Sequence, residues 1–435
     1  MADNREELNK RRRARRARQQ ARARRQRILG GLIILAMVVT LVVIGRMMLT
    51  PEDGAKPTDP PRDHASQETE KETAGSAKEE TPSTVIHVAA AGDMVVTDTT
   101  VNSGRTENGY DYTRVFMDVA PVLSEADLAL LNFEGNLLGA PYGTASTSAP
   151  VELPDALKAA GVDLVQMANS TAITDGMASL KTSLAGLRHT GLEPMGAYAD
   201  SQEFQKYKGY TMVNVQGIRI ALVAFTKGMN SLSLPAGSEN CINLLYTDYA
   251  TTYQTIDKAG INDILSNVAK EKPDLTIALV HWGSEYKDMV TKSQENIARI
   301  MQDGGVDVVL GTHPHMLHEI RYDEVTGQLV AYSLGDFFGD AQRAGTDYSI
   351  ILDLEITKDG VSGETKVTDF SYTPIYTLTE ETSPSGYRQV VQLEKALKAY
   401  EDNFVDKVSD EVYEDMAYAL ERIQNRTNPP KDEEQ

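Results

Sequence analysis

The sequence predicts an α/β protein with mixed, mostly parallel sheets covered by helices, preceded by one transmembrane helix. After residue 85, short apolar runs alternate with segments in which apolar residues recur every three or four positions, which is typical of βαβ units. Of the 435 residues, 41% are hydrophobic and 24% are charged, which is enough apolar content to bury a core. Because Cys241 is the single cysteine, no intrachain disulfide stabilises this fold.

The charge is distributed unevenly along the chain. Residues 1–27 contain twelve Lys or Arg and three Asp or Glu, so this segment carries about +9 and the remainder about −29. An acidic body repels phosphate groups instead of releasing their counterions, so we expect no nucleic-acid partner. The basic block could itself bind nucleic acid, but contact with anionic membrane lipid explains it better.

An apolar segment at residues 28–49 directly follows the basic block. As a helix it would be about 33 Å long, enough to cross a bilayer, and Arg46 near its end can reach the interface. The positive-inside rule then places residues 1–27 in the cytoplasm and the large domain outside the cell membrane. A cleaved signal peptide is the alternative, but residues 47–51 offer no small-residue cleavage site.

Residues 50–84 are predicted to form a disordered linker between the membrane helix and the folded sequence. Residues 51–84 contain no Val, Leu, Ile, Met, Phe, Tyr or Trp, so they cannot bury enough surface to fold. Beyond the linker we expect a folded domain at 85–375, a C-terminal helical segment at 376–424 and a disordered tail at 425–435.

The elements of the domain follow from periodicity and composition. Runs rich in Val, Leu and Ile predict strands at 85–91, 128–133, 164–167, 212–215, 218–225, 275–280, 306–310 and 329–334. A hairpin-like pair follows at 348–356 and 366–372. Helical spacing predicts helices at 113–125, 154–160, 177–189, 253–270, 293–303 and 389–404.

Short polar groups follow six of these strands. In open α/β sheets, sites form beyond the carboxyl ends of the strands, so these groups should converge in one region. The side chains concerned are Asp93, Glu134, Asn169, Ser170, His281, Trp282, Glu285, His313, His315 and Asp336.

The histidines support a metal site at these strand ends. The chain has seven histidines, and four of them, His281, His313, His315 and His318, lie on two of the strand-end segments. Sets of histidine and carboxylate suit zinc, manganese or iron, and such metals can activate water and clamp a phosphoryl group. Taken singly, each motif also has a structural explanation, such as a turn, a helix cap or packing of Trp282. We interpret His87 and His189 as structural.

Several segments together resemble the CapA family of capsule synthesis, the proteins of poly-γ-glutamate biosynthesis. The resemblance holds in order and approximate spacing from about residue 85 to 375. Its most specific segments are His281-Trp282-Gly283-Ser284-Glu285-Tyr286 and Gly311-Thr312-His313-Pro314-His315.

This resemblance implies a metallophosphoesterase-like, calcineurin-like layered fold and a divalent metal (manganese, iron or zinc). It implies a membrane-anchored protein that assists the synthesis, export or anchoring of an anionic capsular polymer, with that polymer and the subunits of its synthase as partners. Carried over by position, the implied metal ligands are Asp93, Glu134, His281, His313 and His315.

The chain departs from the family pattern at the third strand end. The family usually reads Ala-Asn-Asn-His-Ala-Leu-Asp there, whereas this chain has Ser170, Thr171 and Thr174 in place of the second Asn, the His and the Asp. The resemblance therefore implies that an amide ligand and a general acid are missing, and the loss of a general acid costs about 10²–10⁴ in rate. Asp175 and Asp336, an Asn in the family, could partly compensate.

Two functions compete on this basis. A capsule-assembly protein with a degenerate metal site explains the departures at Ser170 and Thr171, while an active metal-dependent phosphoesterase or other hydrolase at the cell surface is the alternative. The acidic charge of the domain opposes binding of a polyanion unless a metal or a patch such as Lys287, Lys292 and Arg343 supplies positive potential.

Overall fold

The computed structural model of the chain describes residues 82–402 and 409–427. The predicted basic segment 1–27, the predicted membrane helix 28–49, most of the predicted linker 50–84 and the last eight residues of the chain lie outside the described residues. Within the described ranges, no helix combines the length and the apolar character needed to cross a membrane.

Strands and helices alternate along most of the described chain. The strands are β1 (Thr84–Val95), β2 (Arg105–Thr106), β3 (Gly109–Tyr110), β4 (Leu128–Glu134), β5 (Leu164–Gln166), β6 (Glu193–Met195), β7 (Tyr210–Val215), β8 (Ile218–Thr226), β9 (Leu275–His281), β10 (Val308–Thr312), β11 (Ile320–Asp323), β12 (Gln328–Ala331), β13 (Asp336–Phe338), β14 (Tyr348–Lys358), β15 (Thr365–Leu378) and β16 (Gln389–Gln392). The helices are α1 (Asp98–Ser103), α2 (Thr113–Phe116), α3 (Ala120–Ser124), α4 (Glu152–Ala159), α5 (Gly176–Thr190), α6 (Ser201–Tyr207), α7 (Lys258–Glu271), α8 (Lys292–Asp303), α9 (Leu393–Glu401) and α10 (Asp410–Thr427).

Most strands belong to two mixed sheets. The first sheet has the order β16-β15-β14-β1-β4-β5-β6, with parallel pairing from β1 to β6 and antiparallel pairing from β1 to β16. Strand β13 pairs in parallel with the end of β1. The second sheet has the order β11-β12-β10-β9-β8-β7, parallel at its centre and antiparallel at both edges. The predicted class, mixed α/β with parallel strands, is confirmed.

The two sheets pack face to face, with helices outside them. On β8, Leu222 and Ala224 belong to the same buried cluster as Val88 of the first sheet. The alternate residues Val223 and Phe225 belong to a second cluster with apolar side chains of α7 and α8. Because successive side chains of a strand point to opposite faces, β8 is covered by the first sheet on one face and by helices on the other.

The predicted strands are confirmed with small shifts at their ends, but three predicted helices were partly wrong. The helix predicted at 253–270 begins only at Lys258, because Tyr253 has φ in the left-handed region, which an α-helix does not contain. The helix predicted at 113–125 is divided into α2 and α3, because Pro121 lies in the first turn of α3 and lacks the N–H that a helix interior requires. The helix predicted at 389–404 begins as strand β16, where the β-branched Val390 and Val391 pair with β15. The short elements β2, β3, β6, β11, β13, α1 and α6 were missed.

The C-terminal region completes the domain. The boundary predicted at residue 375 falls inside β15, and the segment 376–424 supplies edge strand β16 as well as helices. Helix α10 buries Met416, Ala419 and Ile423 in the core that the two sheets share. It continues to Thr427, past the predicted start of the tail at residue 425.

Candidate metal centre

The predicted ligands lie where strands of the two sheets end beside one another. Asp93, near the end of β1, is in register with Asn132 of β4 and with Asp336 of β13. His281 ends β9, and its partner in register on β10 is Thr312, which directly precedes His313. Parallel pairing puts these carboxyl ends at the same edge, so groups that are distant in sequence meet.

Asn132 holds two buried carboxylates together. Its Nδ2 donates to Asp93 Oδ1 at 2.7 Å and to Glu134 Oε1 at 3.0 Å. Its Oδ1 accepts from Asn169 Nδ2 at 3.1 Å, which fixes the orientation of the amide. Asn132 was not among the predicted site residues, although it precedes Glu134 by two residues in a strand and so shares a face with it.

The first ligand group consists of Glu134, His281 and His313. One ligand atom from each lies within 4.8 Å of the others. His281 Nδ1 is 3.5 Å from Glu134 Oε1, and the ring centroids of His281 and His313 are 4.4 Å apart.

The second ligand group, Asp93, His315 and Asp336, adjoins the first. His315 Nδ1 is 2.7 Å from Asp336 Oδ1 and 3.6 Å from Asp93 Oδ2. The backbone N–H of His313 donates to both carboxylate oxygens of Asp93, at 3.2 and 3.0 Å, so the His-Pro-His segment joins the two groups. All six side chains of the two groups are at most 7% exposed.

This donor set fits divalent metal ions. Histidine nitrogens and carboxylate oxygens in equal numbers suit zinc, manganese or iron. His313 Nδ1 is buried and has no hydrogen-bond partner among the residues that the structure describes, a costly arrangement that ligation would relieve. When bound, a divalent metal would activate water and neutralise negative charge on a phosphoryl or carboxyl oxygen.

Burial and mutual repulsion shift the titration of these groups. Burial, together with the charge of Asp93, raises the pKa of Glu134 to about 8, and burial also raises the pKa of Asp93, to about 6. Burial lowers the pKa of both His281 and His313 well below the ordinary value. Burial also acts to lower the pKa of His315, but the negative charges of Asp336 and the other carboxylates have the larger effect and raise this pKa well above its ordinary value. Without a cation, Glu134 therefore retains its proton at neutral pH.

The backbone around the centre is strained. Of the eleven described residues other than glycine that have positive φ, five belong to the centre or line a pocket beside it: His313 at +90°, His315 at +59°, Tyr286 at +58°, Tyr253 at +55° and Asn230 at +48°. Such conformations cost roughly 1–3 kcal/mol each and cluster where a fold holds side chains in a functional geometry. The His-Pro-His segment uses two of them to direct both imidazoles into the centre.

Comparison with protein families gives one match over most of the folded chain. Residues 87–341 match the family model described as bacterial capsule synthesis protein PGA_cap. The chain belongs to this family. The matched range contains all six residues of the two ligand groups, so the centre is part of the family domain.

Two relatives in this family have related descriptions. The chain is 27% identical over 262 residues to the capsule biosynthesis protein CapA of Bacillus anthracis, a match that spans 59% of this chain and 61% of that protein. It is 26% identical over 308 residues to the PGA biosynthesis protein CapA of Bacillus subtilis, covering 68% of this chain and 74% of the relative. Among solved structures, a calcineurin-like phosphoesterase from Bacillus subtilis aligns over 78% of this chain and 98% of its own, with 14% identity and a TM-score of 0.40.

In this PGA_cap member, the departures at the third strand end lie inside the centre. The backbone N–H of Ser170 donates to His281 Nε2 at 3.2 Å, and its Oγ donates to Glu134 Oε2 at 3.2 Å. Thr171 Oγ1 donates to Asn169 Oδ1 at 3.0 Å, so this hydroxyl supports the loop. A hydroxyl at position 171 cannot serve at neutral pH as the general acid that a histidine provides.

Other predicted site residues have different positions. Trp282 is buried, donates from Nε1 to Tyr332 O at 2.9 Å and stacks on the Tyr332 ring, so its role is packing. Asp175 precedes α5, is exposed and makes no capping hydrogen bond, so the structure does not bring it to the ligand groups. Glu285 is exposed and lines a pocket beside His313.

Three further residues lie at the centre that were not among the predicted site residues, although Arg343 was named as part of a basic patch and Tyr286 as part of a specific segment. The ring of Tyr286 stacks on His315 with a centroid separation of 5.3 Å, and the Arg343 guanidinium lies 3.8 Å from the Tyr286 centroid. Lys227 places Nζ 3.2 Å from His313 Nε2. Lys227 directly follows β8, so it could have been predicted from the tendency of sites to form beyond the carboxyl ends of strands. No local sequence pattern marks Arg343.

Proposed function

We propose that this chain binds divalent metal at the two ligand groups and uses it to hold an anionic capsular polymer during synthesis, export or anchoring. The observation that carries the proposal is the convergence of six buried histidine and carboxylate side chains from five segments of the chain, four that end strands and one, at Asp336, that begins β13. Membership in a capsule synthesis family supports the polymer as its target. The subunits of the polymer's synthase are the partners that this function requires.

The charge of the chain supports a metal in this role. The part of the chain after residue 27 carries about −29, so the protein repels a polyanion over most of its surface. A divalent metal in the centre, with Lys227 and Arg343 beside it, supplies local positive potential where polymer must approach. Metal therefore makes polymer binding compatible with an acidic protein.

The test is metal content and polymer binding of the full chain purified in detergent. We expect bound manganese, iron or zinc by elemental analysis, and binding of poly-γ-glutamate that a chelator abolishes. His281→Ala and His313→Ala should each lower the metal content at least about tenfold. His189→Ala, at the end of α5, is the control and should retain it. A metal-free wild type, or polymer binding that a chelator leaves intact, would refute the proposal.

We further propose that the protein is anchored in the membrane by residues 28–49, with the folded domain outside. The basic block before this apolar segment and the polar linker after it support this topology. Because Cys241 is buried, single cysteines introduced in place of Asn4 and Ser76 can report sidedness. In intact cells, an impermeant maleimide should label the cysteine at 76 and spare the one at 4. The reverse pattern would refute this topology.

Hydrolysis at the same centre is the second candidate function. The observation that favours it is the adjacency of two complete ligand groups, since two-metal hydrolases clamp the attacking and leaving oxygens in this way. The test is turnover of bis-p-nitrophenyl phosphate with added manganese. Turnover that His313→Ala abolishes would establish hydrolysis, and a metal-loaded wild type without turnover would remove this candidate.

A further inference from the structure

A small pocket of about 200 Å³ opens beside the first ligand group. It is lined by Lys227, Asn230, Tyr253 and Ser284, together with Ser170 and His313 of the metal centre. Ligand pockets for drug-sized molecules are typically 300–1,000 Å³. This pocket therefore suits a single small group at the end or side of a substrate.

Lys227 places a positive charge in the pocket, where the carboxylate of Glu285 also acts on it. Its Nζ donates to Gly283 O at 2.8 Å and lies 3.2 Å from His313 Nε2 and 4.8 Å from the Tyr253 centroid. Within residues 82–402 and 409–427, no carboxylate forms an ion pair with it. A partly buried ammonium that forms no direct ion pair is costly to maintain, and an ammonium has three donors, so the geometry leaves capacity for an anion.

The pocket wall is also strained where it faces Lys227. Asn230 and Tyr253 both line the pocket, and both have φ in the left-handed region, at +48° and +55°. Neither is a glycine, so the surrounding structure must hold these conformations against their cost. Among the described residues, Glu285 is the one acidic side chain that lines the pocket, and it is exposed. Its negative charge opposes anion binding, so removal of this charge should strengthen binding, whereas removal of the Lys227 charge should weaken it.

We propose that this pocket is an oxyanion subsite in which Lys227 binds one carboxylate or phosphoryl group of the substrate, next to the group held at the ligand set Glu134, His281 and His313. The subsite rests on the proposed function, because it places an anionic unit beside the metal. Its size admits one such unit at a time, so it recognises a single charged group and not a long stretch of polymer.

The test is calorimetric titration of the full chain in detergent with glutarate, a carboxylate probe, and with inorganic phosphate. Each titration is performed with manganese and again after chelation. Lys227→Met should weaken binding of the preferred probe at least about tenfold, the effect of one lost charge-assisted hydrogen bond, and Lys227→Arg should retain most of the affinity. Glu285→Gln should tighten binding. Lys258→Met, at an exposed lysine that begins α7, is the control and should match wild type.

Manganese content distinguishes the outcomes. Unchanged affinity in Lys227→Met, or no binding of either probe by wild type, would overturn the subsite. Loss of manganese in Lys227→Met would also overturn it, because Lys227 would then position His313 instead of binding substrate. If wild type itself holds no manganese, the proposed metal centre fails, and Lys227-dependent binding by the chelated chain would still uphold the subsite. The better probe identifies the oxyanion as carboxylate or phosphate.

Discussion

At the scale of single residues, the centre is built from groups that repel one another. Asp93, Glu134 and Asp336 are buried carboxylates within one small volume, and His315 is the histidine whose pKa is raised beside them. Hydrogen bonds offset part of this repulsion. The Asn132 amide donates to both Asp93 and Glu134, and the backbone N–H of His313 donates to Asp93. Such an arrangement is stable in a folded protein only if protons or cations occupy it.

We expect the affinity for Mn²⁺ to rise steeply as the pH increases from about 6 to 8. The pKa of Asp93 is raised to about 6 and that of Glu134 to about 8, so both must lose protons before they can ligate. Calorimetry in two buffers with different ionisation enthalpies should show net proton release on binding. An affinity for Mn²⁺ that does not change with pH in this range would contradict the raised pKa values of Asp93 and Glu134.

The same shifts predict how the metal-free protein responds to pH. The folded state keeps a proton on Glu134 up to about pH 8, whereas the unfolded chain releases it near the ordinary pKa of 4.5. Up to about pH 6.5 the lowered pKa values of His281 and His313 oppose this effect, because the unfolded chain protonates both imidazoles. Above that pH the folded state binds more protons, and its stability should fall as the pH rises from about 6.5 to 8. Thermal unfolding after chelation measures this, and manganese should reverse the trend. A melting temperature that rises over this pH range in the chelated protein would be inconsistent with it.

Asn132→Asp should destabilise the metal-free protein by about 1–3 kcal/mol. The substitution preserves shape but removes a donor shared by Asp93 and Glu134 and adds a third buried acid to them. Urea unfolding measures the loss, and manganese should recover part of it. Asn214→Asp, at an exposed position of β7, is the matched control and should stay within about 0.5 kcal/mol of wild type. Equal stability of the two variants would show that Asn132 does not support the acids.

At the scale of elements, the strand ends were predictable and the connections between them were not. Apolar runs followed by polar residues located Asp93, Glu134 and the histidines, because a strand leaves the core at its carboxyl end. Asp175 was assigned by its neighbourhood in sequence, but the chain turns into α5 there and leaves it exposed. Long-range packing, which no local sequence pattern records, determines that β1 lies between β14 and β4. It also determines that Arg343 stacks on Tyr286.

Helix α10 holds the loop between β9 and α8. Arg426 donates to the backbone oxygen and the carboxylate of Asp288, two residues after the Tyr286 that stacks on His315. Arg426→Ala should accelerate hydrogen exchange in residues 284–291 severalfold. It should cost less than about 1 kcal/mol of global stability, because the ion pair is partly exposed.

The control for this loop is Arg299→Ala, an exposed arginine that bonds Asn296 on α8. It should leave exchange in residues 284–291 unchanged. Both variants should keep the metal content of wild type, because neither arginine belongs to the ligand groups. Exchange in Arg426→Ala that matches wild type would show that the loop is held by its own contacts, such as the Tyr286 stack.

At the scale of the whole molecule, one apolar core links the C-terminal helix to both sheets. Ile423 of α10 is fully buried and belongs to the same cluster as Val88 of the first sheet and Leu222 of the second. A continuous core of this kind favours cooperative unfolding, in which loss of packing at one edge lowers the stability of the whole domain. The C-terminal region therefore belongs to the folding unit, although the sequence suggested a boundary at residue 375.

Ile423→Ala should destabilise the protein by about 2–4 kcal/mol, because it removes buried methyl groups and leaves a cavity. Trp282, the single tryptophan, lies at the end of β9 in the second sheet and reports unfolding away from α10. In Ile423→Ala, the urea concentration at the midpoint of unfolding should fall by the same amount whether it is followed by Trp282 fluorescence or by the helical circular dichroism signal. Tyr418→Ala changes a side chain of the same helix that is 61% exposed, and it should alter neither transition by more than about 0.5 kcal/mol. If Ile423→Ala moves only the helical signal, α10 unfolds separately and the core is not one cooperative unit.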